Sequence, residues 1–172
     1  MKKPLLLLIL LFVISSANAA ENVFNHKVET EAIKIAPFTD VTCKFEQEKS
    51  LPNSNQTIKS GGDFQFVLKK GVIFETQYPV KYTTSYTSKE NKYVNDIIVA
   101  ISKKNFSHIE KNFDIFFQKQ DEKWVLGLIP KAETPAANQL KNIIIFGEKN
   151  IDRIIIDTIN NGSTKLKFTQ CK

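Results

Sequence analysis

From residue 40 onward, apolar side chains recur at every second position. Val41, Cys43 and Phe45 alternate with Thr42, Lys44 and Glu46. The same period returns at Phe64, Phe66 and Leu68, at Val72, Phe74, Thr76 and Tyr78, and at Tyr82, Thr84 and Tyr86. An alternation of this kind predicts half-buried β-strands. Leu51 to Asn55, Lys69-Lys70-Gly71 and Ser88 to Asn91 read as turns between them. The period breaks from Asn95 to Ile109, where Ile97, Ile98 and Ile101, then Phe106 and Ile109, predict a short helical insert. Strands then resume over Phe113 to Lys119, Trp124 to Pro130, Asn142 to Phe146, Ile151 to Asp157 and Thr164 to Phe168. Asn161-Gly162 is a hairpin signal between the last two. The links are too short for crossover helices, so about nine or ten antiparallel strands are expected. Upstream, Phe24, Val28, Ala32 and Ile35 fall at near-helical spacing and predict a helix over Glu21–Ile35, ended by Pro37.

A sheet of this length curls. The expected fold class is mainly β with helices (α+β): an incomplete antiparallel β-barrel covered by short helices. The first residues belong to a different pattern. Lys2 and Lys3 precede an apolar stretch from Leu5 to Ile14, and Ser15-Ser16-Ala17-Asn18-Ala19 offers small residues for cleavage. This predicts a signal peptide over residues 1–19, cut after Ala19, and one domain over residues 20–172. No cysteine follows the cut to carry a lipid anchor, so an exported, unanchored protein is expected.

Composition sharpens this only slightly. The formal net charge of +6 is a modest surplus, suited to solubility or to an anionic surface. No basic run with interleaved aromatics suggests nucleic acid. The two cysteines, Cys43 and Cys171, are an even count in a chain bound for an oxidising compartment. They favour one disulfide, which would bring the first strand of the domain beside the last, over two buried thiols.

Catalytic chemistry has little support. His26 and His108 stand on separate segments, no metal-ligand spacing occurs, and no nucleophile elbow is present. Gly61-Gly62 precedes a strand rather than a helix, so it reads as a bulge or a close backbone approach. Asp63 and Glu75 read as solvent-facing strand carboxylates. No enzyme activity, cofactor or metal is expected. The positive signal is aromatic: 13 Phe, 4 Tyr and 1 Trp, many on one alternating face. A filled barrel core and a cavity for an apolar ligand produce the same alternation. In the cavity case Phe64, Phe66, Phe74, Tyr82, Ile98 and Ile101 line it, and Ile97 sits on the lid.

Several short motifs, taken in order, resemble a known family. Phe45-x-Gln47, Ser60-Gly61-Gly62-Asp63-Phe64 and Gly71-Val72-Ile73-Phe74-Glu75-x4-Pro79 look like the opening hairpins of LolA-type outer-membrane lipoprotein carriers. Trp124-x-Leu126-x-Leu128-x-Pro130-Lys131 resembles their later strand, and Asp152 to Phe168 their closing hairpin. The resemblance implies a periplasmic, monomeric carrier with an unclosed barrel lidded by helices. Such carriers take the acyl chains of lipoproteins from an inner-membrane ABC transporter and pass them to an outer-membrane receptor. Exposing acyl chains to water costs about 0.8 kcal/mol per CH₂, which a protein sleeve avoids. The chain departs from the family pattern in three places. Lys69 and Lys70 stand near the position where an arginine often bonds to the lid, making them the gate residues here. Phe74 holds a tryptophan position. The chain stops at Gln170-Cys171-Lys172, where studied carriers continue, which points to a relative dedicated to another lipid. The alternative from a different class is a periplasmic sensor or scaffold that uses the same half-barrel to bind a protein partner.

Overall fold

The first strand of the domain lies beside the last. The computed structural model describes residues 23–36, 38–68, 70–85 and 92–172. In it, β1 (Val41–Ser50) pairs antiparallel with β2 (Thr57–Val67) on one side and with β9 (Ser163–Thr169) on the other. β3 (Gly71–Tyr78) and the short β4 (Tyr82–Thr84) extend the sheet beyond β2. β5 (Phe113–Gln120), β6 (Lys123–Pro130), β7 (Leu140–Gly147) and β8 (Ile151–Thr158) build it out from β9. The result is one nine-stranded antiparallel sheet in the order β4-β3-β2-β1-β9-β8-β7-β6-β5. Inward residues of every strand except β4 join a single core, so the sheet curls around them. β4 and β5 are its two end strands.

Helices α1 (Lys92–Ser102) and α2 (Phe106–Glu110) connect those two ends. α1 packs on β3, α2 packs on β5, and the two touch each other. They bury Ile97, Ile98, Ile101, Phe106 and Ile109 in the core. The Val72 N–H, beyond the end of the β3–β4 ladder, donates to Asn95 Oδ1 at 3.1 Å and ties α1 to the sheet.

Cys43 and Cys171 form a disulfide across a sequence separation of 128 residues. Past Thr169 the ladder with β1 continues, because Thr42 and Lys172 exchange backbone hydrogen bonds of 3.1 and 2.9 Å. Gln170, at φ 53°, inserts one extra residue there and sets Cys171 beside Cys43. A second bulge separates Gly61 from Gly62 in the β2–β3 ladder. A Cβ on Gly62 would run into the carbonyl oxygen of Glu75, so the backbones approach closely there, as the glycine pair led us to expect. At Lys69-Lys70-Gly71 the Lys70 N–H donates to the Val67 carbonyl, and Gly71 takes φ 110°, which a side chain would strain.

The N-terminal helix expected over Glu21–Ile35 is not what the chain forms. Two short 3-10 turns, Val23–Asn25 and Thr30–Ala32, flank an extended stretch. Lys27 bridges Phe116 of β5. Val28 N–H donates to Ile115 O, and Phe117 N–H donates to His26 O. The free edge of β5 explains this outcome. A helix satisfies only its own backbone, whereas an extended segment satisfies the edge as well. Val23 and Phe24 lie over Gly127, with Phe24 edge-on to Phe116 at 5.5 Å. Farther on, Ile33, Ile35 and Phe38 join the main core. The predicted signal peptide and its cut after Ala19 lie outside the described residues, as do Pro37, Lys69 and Tyr86.

Candidate functional site

The two ends of the curled sheet are filled differently, and the strand faces explain why. Along β1 the inward positions run Cys43, Phe45, Gln47, Lys49. Along β3 they run Val72, Phe74, Thr76; along β8, Ile154, Ile156, Thr158; and along β9, Phe168, Leu166, Thr164. Each face passes from apolar to polar toward the same end of the barrel. At the apolar end the core is closed. Phe38 stacks on Trp124 and meets Phe66 edge-on, each at 6.3 Å. Trp124 Nε1 donates to the Glu148 carbonyl at 2.9 Å.

At the polar end the barrel is hollow. An open cavity of about 780 Å³ lies between β1, β3, β4 and α1 on one side and β7, β8 and β9 on the other. Its apolar wall includes Phe45, Phe74, Val94, Leu140, Ile143 and Leu166. Its polar wall includes Gln47, Thr76, Thr84, Gln139, Thr158 and Thr164. Lys49 is the one charged side chain lining it among the described residues. The exposed apolar side chains Tyr78, Val80, Tyr82 and Ile159 lie on the strand ends and hairpin tips at this same end.

The structure distributes the residues singled out from the sequence over three places. Phe74 and Tyr82 line the cavity; Tyr82 is 49% exposed at its edge. Phe64, Phe66 and Ile98 surround a void of only about 20 Å³ beneath it. Phe66 and Ile98 are 2% and 1% exposed, and Ile97 and Ile101 are equally sunk in the core. Phe64 still touches the cavity wall through Phe74, at a ring separation of 5.0 Å. Lys70 is exposed in the β2–β3 turn, and Lys69 lies outside the described residues. Residues not singled out beforehand complete the wall: Gln47, Lys49, Leu140, Ile143, Ile156, Thr164 and Leu166. For Gln47, Lys49 and Thr164 the signal was the apolar-to-polar change along each inward face, which a search for hydrophobic positions alone passes over; Leu140, Ile143, Ile156 and Leu166 share the alternation of the filled core.

Other places offer less chemistry. His26 and His108 are exposed. Asp63 and Glu75 sit opposite each other across β2 and β3, and Lys44 pairs with Asp63 at 2.6 Å. Among the described residues, no three His, Cys, Asp or Glu side chains group as metal ligands. A second hollow, of about 690 Å³, lies on the outer face of β5 to β9, where Arg153 stacks 3.9 Å over the Phe146 ring.

No protein-family model matches the sequence, and no protein of curated function matches it. Among solved structures, the chain is similar to a LolA superfamily protein from Nitrosomonas europaea, with a TM-score of 0.38 and 7% identity over 80% of this chain and 87% of that one. It is also similar to a Vibrio parahaemolyticus domain described as an outer membrane lipoprotein-sorting protein, with a TM-score of 0.39 and 6% identity over 90% of each chain.

Proposed function

We propose that the protein is a periplasmic carrier that shelters acyl chains, of lipoproteins or of another lipid, in the hollow end of its half-barrel and moves them between membranes. One observation carries this function: the strand faces that fill one end of the barrel leave a cavity of about 780 Å³ at the other. That volume falls in the range of small-molecule sites. Phe45, Phe74 and Leu166 form an apolar wall for a hydrocarbon chain, and Tyr82 stands at the entrance. Phe64, Phe66, Ile98 and Ile101 support that wall from beneath. Helices α1 and α2 act as the movable lid, with Lys69, Lys70 and Ile97 as its gate residues. An inner-membrane ABC transporter and an outer-membrane receptor are the partners that the family resemblance implies. The apolar rim at Val80 and Ile159 gives either partner, or a lipid surface, something to touch. The Cys43–Cys171 disulfide fits the oxidising compartment that this function requires.

The test is titration of a fluorescent fatty acid into wild type and Ile156→Trp, both checked for folding by circular dichroism. Ile156 lines the cavity and is only partly buried, so an indole there occupies the hollow without opening the core. Wild type should bind, and Ile156→Trp should bind at least several-fold more weakly. A wild type that binds no acylated probe would instead support the scaffold alternative.

A further inference from the structure

A sleeve for hydrocarbon alone needs no polar wall. This cavity has one, and it is graded. Moving outward along β1, the inward face goes from Phe45 to Gln47 to Lys49. Thr164, directly across from Lys49 on β9, also lines the cavity, and Thr158 and Thr76 continue the polar band on β8 and β3, the Thr158 hydroxyl donating within its own turn to Asn160 Oδ1 and the Gly162 carbonyl. No carboxylate lines the cavity among the described residues. The neighbouring acids are turned elsewhere: Glu48 pairs with Lys59 at 3.0 Å, and Asp157 accepts from Ser163 at 2.8 Å. The ion pairs found among the described residues do not involve Lys49.

From this arrangement we infer that the carried molecule has an anionic, phosphate-bearing headgroup, held at the cavity mouth by Lys49 and the Thr164 hydroxyl while its hydrocarbon lies against the aromatic wall. The inference deepens the carrier function and rests on it. The ammonium supplies a point charge and the hydroxyl supplies a directed donor, a combination suited to the several equivalent oxygens of a phosphate. A cation at the mouth also favours entry headgroup-last, with the acyl end leading into the apolar half.

Isothermal titration of wild type, Lys49→Gln and Lys49→Arg with decyl phosphate, 1-decanol and inorganic phosphate tests this. Wild type should bind decyl phosphate more tightly than 1-decanol. Lys49→Gln should lose about three- to tenfold in decyl phosphate affinity, as expected for one partly solvated charge contact, and keep its affinity for 1-decanol. Lys49→Arg should restore most of the loss. Equal binding of decyl phosphate and 1-decanol by wild type, or an unchanged Lys49→Gln, overturns the headgroup and leaves the carrier intact. Inorganic phosphate binding as tightly as decyl phosphate overturns it in favour of a free-anion site. Failure of wild type to bind either decyl compound removes the carrier function and the headgroup together. Lys49 is exposed, so its variants are expected to fold.

Discussion

Phe45 and Phe74 touch although β2 runs between their strands, with ring centroids 5.1 Å apart and planes at 89°. The residue of β2 paired with Phe45 is Gly62, which brings no side chain between the rings. Gly62 also faces the Glu75 carbonyl at the bulge, and its Cβ would lie 2.9 Å from the Gln77 nitrogen. Both neighbours are backbone and cannot rotate aside. Gly62→Ala should therefore destabilise the protein by about 1–3 kcal/mol, the usual cost of overpacking. Urea unfolding at unchanged m-value is the measurement, and an unchanged midpoint would contradict the close approach.

The disulfide closes almost the whole domain into one loop. For a loop of 128 residues, the chain-entropy description gives stabilisation of about 4–5 kcal/mol, with typical measured losses of about 2–5 kcal/mol. Paired Cys43→Ser and Cys171→Ser substitution should lower stability by an amount in that range. Thiol titration of the unfolded, unreduced protein should find no free thiol, and two free thiols would contradict the bond.

The helical insert should open before the sheet does. α1 and α2 cover the gap between β4 and β5 without adding a strand to either, whereas β1 and β8 are paired on both sides. Residues Asn95–Ile109 should exchange amide hydrogens through openings of lower free energy than β1 and β8, as befits a lid. Equal protection of the insert and those strands would rule out lid movement as the route into the cavity.

Much of this architecture was legible in the chain. Period-two runs located β3 to β9 to within a residue or two, because both faces of Phe113 to Lys119 or Ile151 to Asp157 are set by local alternation, but caught only the first part of β1 and the last part of β2. The N-terminal segment was misread for a physical reason. Its apolar spacing at Phe24, Val28, Ala32 and Ile35 suits a helix, but those side chains serve different surfaces. Phe24 packs against Phe116, while Ile35 joins the main core. What decides its conformation is the unpaired edge of β5, a tertiary feature absent from any local window. The candidate site divides similarly. Phe74 and Tyr82 follow from strand alternation, but alternation gives Phe66 the same weight although it is packed solid. How far along a strand the core ends is fixed by Trp124, Phe38 and the helices, none of which neighbours Phe66 in sequence.

Charge placed at the once-attractive Phe66 would report on folding rather than on binding, since its side chain is 2% exposed. Substitutions at the mouth are cleaner. Thr164→Trp, at a half-buried lining position, should keep the melting temperature within a few degrees and reduce acyl-probe binding by several-fold. Loss of binding accompanied by unfolding at Thr164→Trp would show that this wall is packed core rather than cavity.

Native mass spectrometry of the protein, released gently from the cells that make it and sprayed without detergent, tests the carrier function most directly. A carrier is expected to appear partly as a complex whose added mass, on activation and organic extraction, yields acyl-containing molecules. The same complex should be depleted in Ile156→Trp. A wild-type protein that appears only at its bare mass, and takes up no acylated lipid when one is supplied, would contradict the function proposed for this cavity.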